Sequence, residues 1–210
     1  ELIERDGGTA AFYQCDVTSG AAVDGAVQHA VSRFGRLDMI VNNAGVYSGG
    51  QFHELTEADL DACLDVIVRG TWFGCQSAIR QFLAQGAGGR ILNMVSTAGL
   101  RGHPYQAAYS LAKGAQASLT RALAVEYATA GIRVNGICPT YMRTAMSRAG
   151  VESDDFDSVI KSRIPVGRWG EIGDVAAAAL FLFADAAVFV PGFGGPGAGG
   201  ETAGAAVSER

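Results

Sequence analysis

The stretch LDMIVNNAG, Leu37 to Gly45, is a short apolar run that ends in two asparagines and two small residues. It reads as a buried strand, Met39 to Asn42, running into a tight turn. Helical patterns flank it on both sides. Before it, Val23, Ala26, Val27, Ala30, Val31 and Phe34 recur at helical spacing and make one apolar face. After it, Thr56 with Asp59 has the pattern of a capping box and opens a long helix to about Gln85. The alternation continues outward. AAFYQCDV (Ala10–Val17) reads as a strand ending at Asp16, GRILNMVS as a strand ending at Ser96, and IRVNGICPT as a strand halted by Pro139. Helices are expected from about Tyr105 to Ala130, closed by Gly131, and from Glu171 to Ala184. Strands alternating with helices predict an α/β fold, a parallel sheet covered by helices.

Composition narrows the function. With 210 residues and 49% hydrophobic content, the chain can build one domain with a real core. The net charge is −5 and no Lys/Arg block exists to track phosphates, so nucleic acid is not an expected partner. The most apolar run, Val175 to Val190, is interrupted by Asp185 and stopped by Pro191. It is too short for a membrane span and reads as a buried helix. Cysteines 15, 63, 75 and 138 form no C-x-x-C pair and no zinc spacing, so no metal is expected and reduced, mostly buried thiols are. The expected compartment is the cytoplasm. Residues 1–190 are expected to form a single domain. In residues 191–210, six of the nine positions from Gly192 to Gly200 are Gly, and this tail is expected to be irregular.

Asp16, Asn42, Asn43, Ser96 and Thr140 all follow the carboxyl ends of expected strands, the edge at which open α/β sheets bind ligands. The motif YSLAK adds chemistry to that edge. Lys113 is one of only two lysines and stands four residues after Tyr109, so both can share a helix face. An ammonium near a phenol stabilises the phenolate and lowers its pKa toward working pH, which makes Tyr109 a candidate general acid/base. Ser96, at a strand end, can bond a substrate oxygen, although a serine there is more often a plain turn residue. Asn43, Ala44 and Gly45 let a flat ligand approach the backbone, although a plain loop is the commoner reading.

Taken together, these segments resemble the classical short-chain dehydrogenase/reductase family, over roughly Ala10 to Gly192. The spacing Ser96–x12–Tyr109–x3–Lys113 matches its catalytic pattern and Asn42–Gly45 its signature turn. Asp16–Val17 resembles its adenine contact. PTYMRTAM (139–146) resembles its P-G-x-I/V-x-T motif, with Thr140 where Gly is usual. PVGRWGEIGDVAAAALFL (165–182) resembles the helix before its last strand. The resemblance implies a Rossmann-like doubly wound sheet, NAD or NADP as cofactor, and an alcohol/ketone pair as substrate. It implies that Ser96, Tyr109 and Lys113 are catalytic. Cofactor contacts would come from Asp16, Val17, Asn43, Ala44, Gly45, Tyr109, Lys113, Pro139, Met142 and Thr144. In particular, Lys113 would hold the nicotinamide ribose, and the Met142 backbone and Thr144 hydroxyl the carboxamide end. It also implies a homo-oligomer, a dimer or homotetramer, packed through the two long central helices.

Three departures carry expectations of their own. The family's T-G-x-x-x-G-x-G turn does not occur in the sequence, and a first βαβ unit is expected to be missing. Ile67 stands where the family has a helix asparagine that kinks the helix and holds a water in the proton relay. The kink and relay are expected to be lost, and Ile67→Asn to raise turnover. The Gly/Pro tail replaces the final strand, which is expected to be absent. Two functions therefore stay open: an NAD(P)-dependent oxidoreductase, or a catalytically impaired relative or binding protein without turnover. An epimerase or dehydratase using the same Tyr/Lys pair is weaker, because NNAG argues against it. The expected substrate pocket uses Tyr47 to Gln51, Thr97 to Tyr105 and Tyr141 to Pro165, including His103, Met146 and Phe156. His103 reads as a loop residue and not a catalyst.

Overall fold

Polar caps and left-handed glycines set where the helices of this chain begin and end. The structure, a computed structural model, describes residues 2–187 and 194–195. A single-turn helix, α1 (Leu2–Arg5), comes first. Ser19 accepts a hydrogen bond from the Ala22 amide to start α2 (Gly20–Phe34), and Gly35, at φ 87°, ends it. β1 (Met39–Asn42) follows. Thr56 and Asp59 form the expected capping box of α3 (Glu57–Cys63). The helix then widens into a π-helical segment, Leu64–Arg69, and resumes as α4 (Gly70–Gln85). β2 (Gly89–Met94), α5 (Ala107–Glu126) and β3 (Ile132–Ile137) come next. Beyond them lie α6 (Arg148–Val151), α7 (Asp154–Arg163), α8 (Ile172–Phe183) and the two-residue β4 (Gly194–Gly195).

The strands form one parallel sheet in the order β1-β2-β3-β4. The register sets Asn42 beside Asn93 and Met94 beside Ile137, so the carboxyl ends of β1, β2 and β3 share one edge. Each face of the sheet buries a different set of side chains. On one, Cys75, Ala78, Ile79 and Phe82 of α4 and Ala124 of α5 pack on Ile91, Ile132 and Val134. On the other, Leu182 of α8 packs on Leu92 and Ile137. Burying such a side chain contributes about 1.5–3 kcal/mol, so these two clusters hold the helices on their faces. This is the expected α/β, Rossmann-like arrangement. Among the described residues no helix is long and apolar enough to cross a membrane. The four cysteines are free, and all but Cys15 are buried.

Several expectations are corrected. Ala10–Val17 is not a strand: residues 8–16 have no regular structure and Phe12 is 88% exposed. A strand needs a neighbour for its ladder bonds, and among the described residues none pairs there. β1 is not fully buried: Met39 and Val41 are exposed, because β1 is the sheet edge and pairs with β2 alone. The apolar run from Val175 is not a buried helix. α8 stops at Phe183 and packs by one face, leaving Leu180 and Phe181 exposed. A last strand does form: Gly194–Gly195 pairs parallel with Gly136–Ile137, since a backbone ladder needs no side chains. The remainder of the expected irregular tail, 191–193 and 196–210, lies outside the described residues.

Candidate active site

The site grows from the point where β2 leaves the sheet. The Val95 amide bonds the Ile137 carbonyl at 2.8 Å and the Thr97 amide bonds the Pro139 carbonyl at 3.1 Å. These bonds tie the segment after β2 to the segment after β3. Ser96 is extended, and its hydroxyl accepts from the Ala98 amide at 3.1 Å to start a 3₁₀ turn, Thr97–Gly99. That turn lies directly on α5. A Cβ at Gly99 would come within 2.6 Å of the Lys113 backbone, so glycine is what permits the approach. The approach puts Ser96 beside α5, where its hydroxyl hydrogen-bonds Tyr109.

Lys113 lies one turn along α5, its Nζ 5.8 Å from the Tyr109 ring centre. The structure therefore brings together all three residues of the expected catalytic set. Their electrostatics differ from expectation. Burial pushes the Tyr109 phenol above its ordinary pKa, and the Ser96 bond only partly opposes it. Lys113 is 4% exposed, and burial lowers its pKa to about 8. The expected lowering of the Tyr109 pKa by Lys113 is not found: burial dominates, and the one group that lowers it is Ser96. The Lys113 ammonium donates to the Met94 carbonyl, and to Gln116 Oε1 at 2.9 Å. An ammonium has three N–H groups, so one is left for a ligand.

The other expected contacts lie along the same edge of the sheet. Asp16 is exposed, and its carboxylate accepts from the Thr18 amide and hydroxyl at 2.9 and 2.8 Å, which lowers its pKa. Asn43 and Ala44 are exposed and Gly45 is half-buried. Beside the Pro139 carbonyl, the chain runs on to Met142, which bridges to Gly170, and to Thr144, whose hydroxyl shares a hydrogen bond with Ser147. A cavity of about 330 Å³ lies between α2 and the outer edge of β1. Val23, Val27, Leu37 and Ile40 line it together with Val66 and Thr71 from the neighbouring helix, and Val17, Asn42, Asn43 and Ala44 reach the ligand edge. Ser96, Tyr109 and Lys113 do not line it and it carries no cationic side chain, so it is not where Tyr109 would act.

Aromatic rings wall the opposite side. Tyr47 meets Tyr109 edge-on at 5.5 Å, and Tyr141 packs against His103, Phe156 and Trp169. Tyr105 sits at φ 63°, and its carbonyl accepts from the Gly50 amide at 2.9 Å, joining two of the expected pocket loops. His103 lies 3.4 Å from Arg101 Nε, and burial and the arginines lower its pKa.

Sequence reasoning missed the buried polar chain beneath the site. Asn42 Nδ2 donates to Asn93 Oδ1 at 2.8 Å, Asn93 Nδ2 to Thr120 Oγ1 at 2.8 Å, and Thr120 to the Gln116 carbonyl at 2.8 Å. Gln116 Nε2 then donates to Thr71 Oγ1 at 2.7 Å. A signal existed. Gln116 and Thr120 follow Lys113 by three and seven residues, on its helix face, and Asn93 breaks an apolar strand. A Cβ at Gly74 would fall 2.0 Å from Asn42 Oδ1, so glycine there makes room for the chain's first member.

Ile67 corrects a further expectation. The helix is irregular at this point without an asparagine, since the π-helical segment contains Ile67. The side chain is fully buried with Cys63, Ala108 and Ala112, with Tyr109 packed against them.

A parallel α/β sheet with Ser, Tyr and Lys converging at its carboxyl edge defines a dinucleotide-dependent oxidoreductase. The comparisons agree with that class. The family described as "Enoyl-(Acyl carrier protein) reductase" matches residues 1–194. An uncharacterized oxidoreductase of Thermotoga maritima is 41% identical over 196 residues, covering 91% of this chain and 77% of that protein. The 2-(S)-hydroxypropyl-CoM dehydrogenase 3 of Xanthobacter autotrophicus is 37% identical, covering 96% and 80%. The crystal structure of a gluconate 5-dehydrogenase from Burkholderia cenocepacia, in complex with NADP and tartrate, superposes with a TM-score of 0.91 at 32% identity. It covers 96% of this chain and 80% of that one. The chain belongs to the short-chain dehydrogenase/reductase family of NAD(P)-dependent oxidoreductases acting on CH–OH groups.

Proposed function

We propose that Ser96, Tyr109 and Lys113 form the proton-transfer centre for interconverting a secondary alcohol and a ketone. The observation that carries this reading is their convergence: Ser96 bonds Tyr109, and the Lys113 ammonium lies 5.8 Å from the same ring. In the reducing direction the Tyr109 phenol donates its proton to the substrate oxygen, and in the oxidising direction it takes the proton back. The Ser96 hydroxyl, already bonded to Tyr109, orients the same oxygen. Burial keeps Tyr109 protonated, which suits the acid role.

The residues fit the nicotinamide end of a dinucleotide. The remaining Lys113 N–H is a donor for ribose hydroxyls, the Met142 backbone and Thr144 hydroxyl would take a carboxamide, and Asn43–Gly45 offers backbone with small side chains. By the family resemblance, Asp16 and Val17 would take the adenine end, with Pro139 contacting the cofactor between the two ends. The bound nicotinamide supplies or accepts the hydride, and the protein orients the reaction. Tyr47, Tyr141 and Phe156 suit a medium-sized, partly apolar substrate. A hydroxy acid or a hydroxyalkyl thioether, of the kinds that the relatives' names describe, is the substrate class to try first. Exposed Trp72 on α4 and Leu111 and Val125 on α5 favour a homo-oligomer, and the free cysteines favour a cytoplasmic site.

The test is isotopic. Reduced cofactor carrying deuterium at its transferable position is incubated with a panel of ketones. One deuterium, transferred as deuteride, should appear on the carbinol carbon per cofactor oxidised. Cofactor oxidation without label in any alcohol would defeat the reading.

A further inference from the structure

We propose that Gln116 is a positioning residue for Lys113: its carboxamide, oriented by the Thr71 hydroxyl, accepts a hydrogen bond from the buried ammonium and fixes where the free N–H points. This rests on the catalytic role given to Lys113 above.

The first support is the surroundings of the ammonium. Lys113 is 4% exposed, Thr71 3% and Gln116 1%, so water screens none of them. A buried ammonium must find acceptors, and this one has two, the Met94 carbonyl and Gln116 Oε1. The titratable groups facing it are Tyr109 on its own helix, Cys63 at the end of α3 and Cys138 after β3. Among the described residues no carboxylate acts on it. The charge is held by neutral dipoles, and Gln116 supplies the one that comes from a side chain.

The second support is orientation. A carboxamide offers an acceptor at one end and a donor at the other. Gln116 Nε2 donates to Thr71 Oγ1 at 2.7 Å, which aims Oε1 at Lys113 at 2.9 Å. The flipped amide would set an NH₂ group against an ammonium. Thr71 is fixed in turn, being the second residue of α4, directly after the π-helical segment. The Gln116 backbone is held by Thr120, which Asn93 and then Asn42 hold. The ammonium is thereby anchored to the ends of β1 and β2.

The third support is what stands on the neighbouring wall. Ile67 is fully buried beside Ala108 and Ala112 and offers no acceptor. The side-chain acceptor that Lys113 uses comes instead from α5 itself, through Gln116.

The chain contains two lysines, Lys113 and Lys161, and Lys161 pairs with Asp157 at 2.6 Å on the far side of the site. Lysine labelled with ¹³C at Cε therefore gives a site signal and a control signal, assigned through Lys113→Arg. In Gln116→Leu the Lys113 titration midpoint should fall by about one unit, because the protonated form loses a charge-assisted bond. Thr71→Val should lower it less, and Gln116→Glu should raise it. Lys161 should not move in any variant. If Gln116→Leu does not fold, Thr71→Val and Gln116→Glu decide the matter. A Lys113 midpoint unchanged in the folded variants would overturn the proposal. The pH–rate profile separates this outcome from failure of the catalytic reading. If the Lys113 midpoint shifts and the rate limb does not follow, positioning stands and the catalytic role of Lys113 falls.

Discussion

At the scale of single residues, the site is a set of desolvated polar groups held by neutral partners. Lys113 shows the consequence for stability. Its pKa is lowered to about 8 in the fold from 10.5. The protonated form is therefore the one that folding disfavours. Between about pH 8 and about 10.4 the unfolded chain binds more protons than the folded one, so stability attributable to this group rises with pH. Lys113→Met removes the buried charge. It should raise the thermal midpoint at neutral pH, and that gain should shrink as the pH rises through this window. A variant less stable at neutral pH than the parent would show that the hydrogen bonds to Met94 and Gln116 outweigh the desolvation. Activity should be lost either way.

At the scale of elements, the helix from Glu57 to Gln85 and α5 decide the site's shape. The π-helical segment between α3 and α4 puts Ile67 into the apolar cluster with Ala108 and Ala112 and presents Thr71 to Gln116. This reverses the expectation for Ile67→Asn. An amide buried there is left unsatisfied at about 1–3 kcal/mol, so the variant should melt lower and turn over no faster. A rate increase in a variant of unchanged stability would restore the asparagine relay. Much of these elements was legible in the sequence. The capping box at Thr56 and the last helix after Glu171 stand close to where the pattern put them, whereas α5 ends at Glu126 and a separate 3₁₀ turn, Ala128–Ala130, carries the chain to Gly131. The spacing of Ser96, Tyr109 and Lys113 pointed to the three residues that the structure brings together. Three things were not legible. A π-helical widening leaves no mark in a 3.6-residue period. The buried chain of Asn93, Thr120 and Gln116 depends on which polar residues of one face meet across elements. Ala10–Val17 has a strand's composition, but a strand exists only where a neighbour completes its ladder, and no local pattern supplies that.

At the scale of the whole molecule, the parallel sheet does one thing for function: it ends three strands at the same edge. The turn after β1, the Ser96 turn after β2 and the segment from Pro139 after β3 thereby meet over α5, which carries Tyr109 and Lys113. The two apolar clusters on opposite faces of the sheet hold α4, α5 and α8 against it. The central claim is that the proton donor is the Tyr109 hydroxyl. It is tested most directly by measuring ketone reduction and cofactor binding side by side in the active enzyme and in Tyr109→Phe, which removes one oxygen and keeps the ring packed against Tyr47. Cofactor binding should be unchanged while the rate of reduction falls by at least about 100-fold. A Tyr109→Phe enzyme that binds cofactor and still reduces ketone at close to the parent rate would contradict the claim.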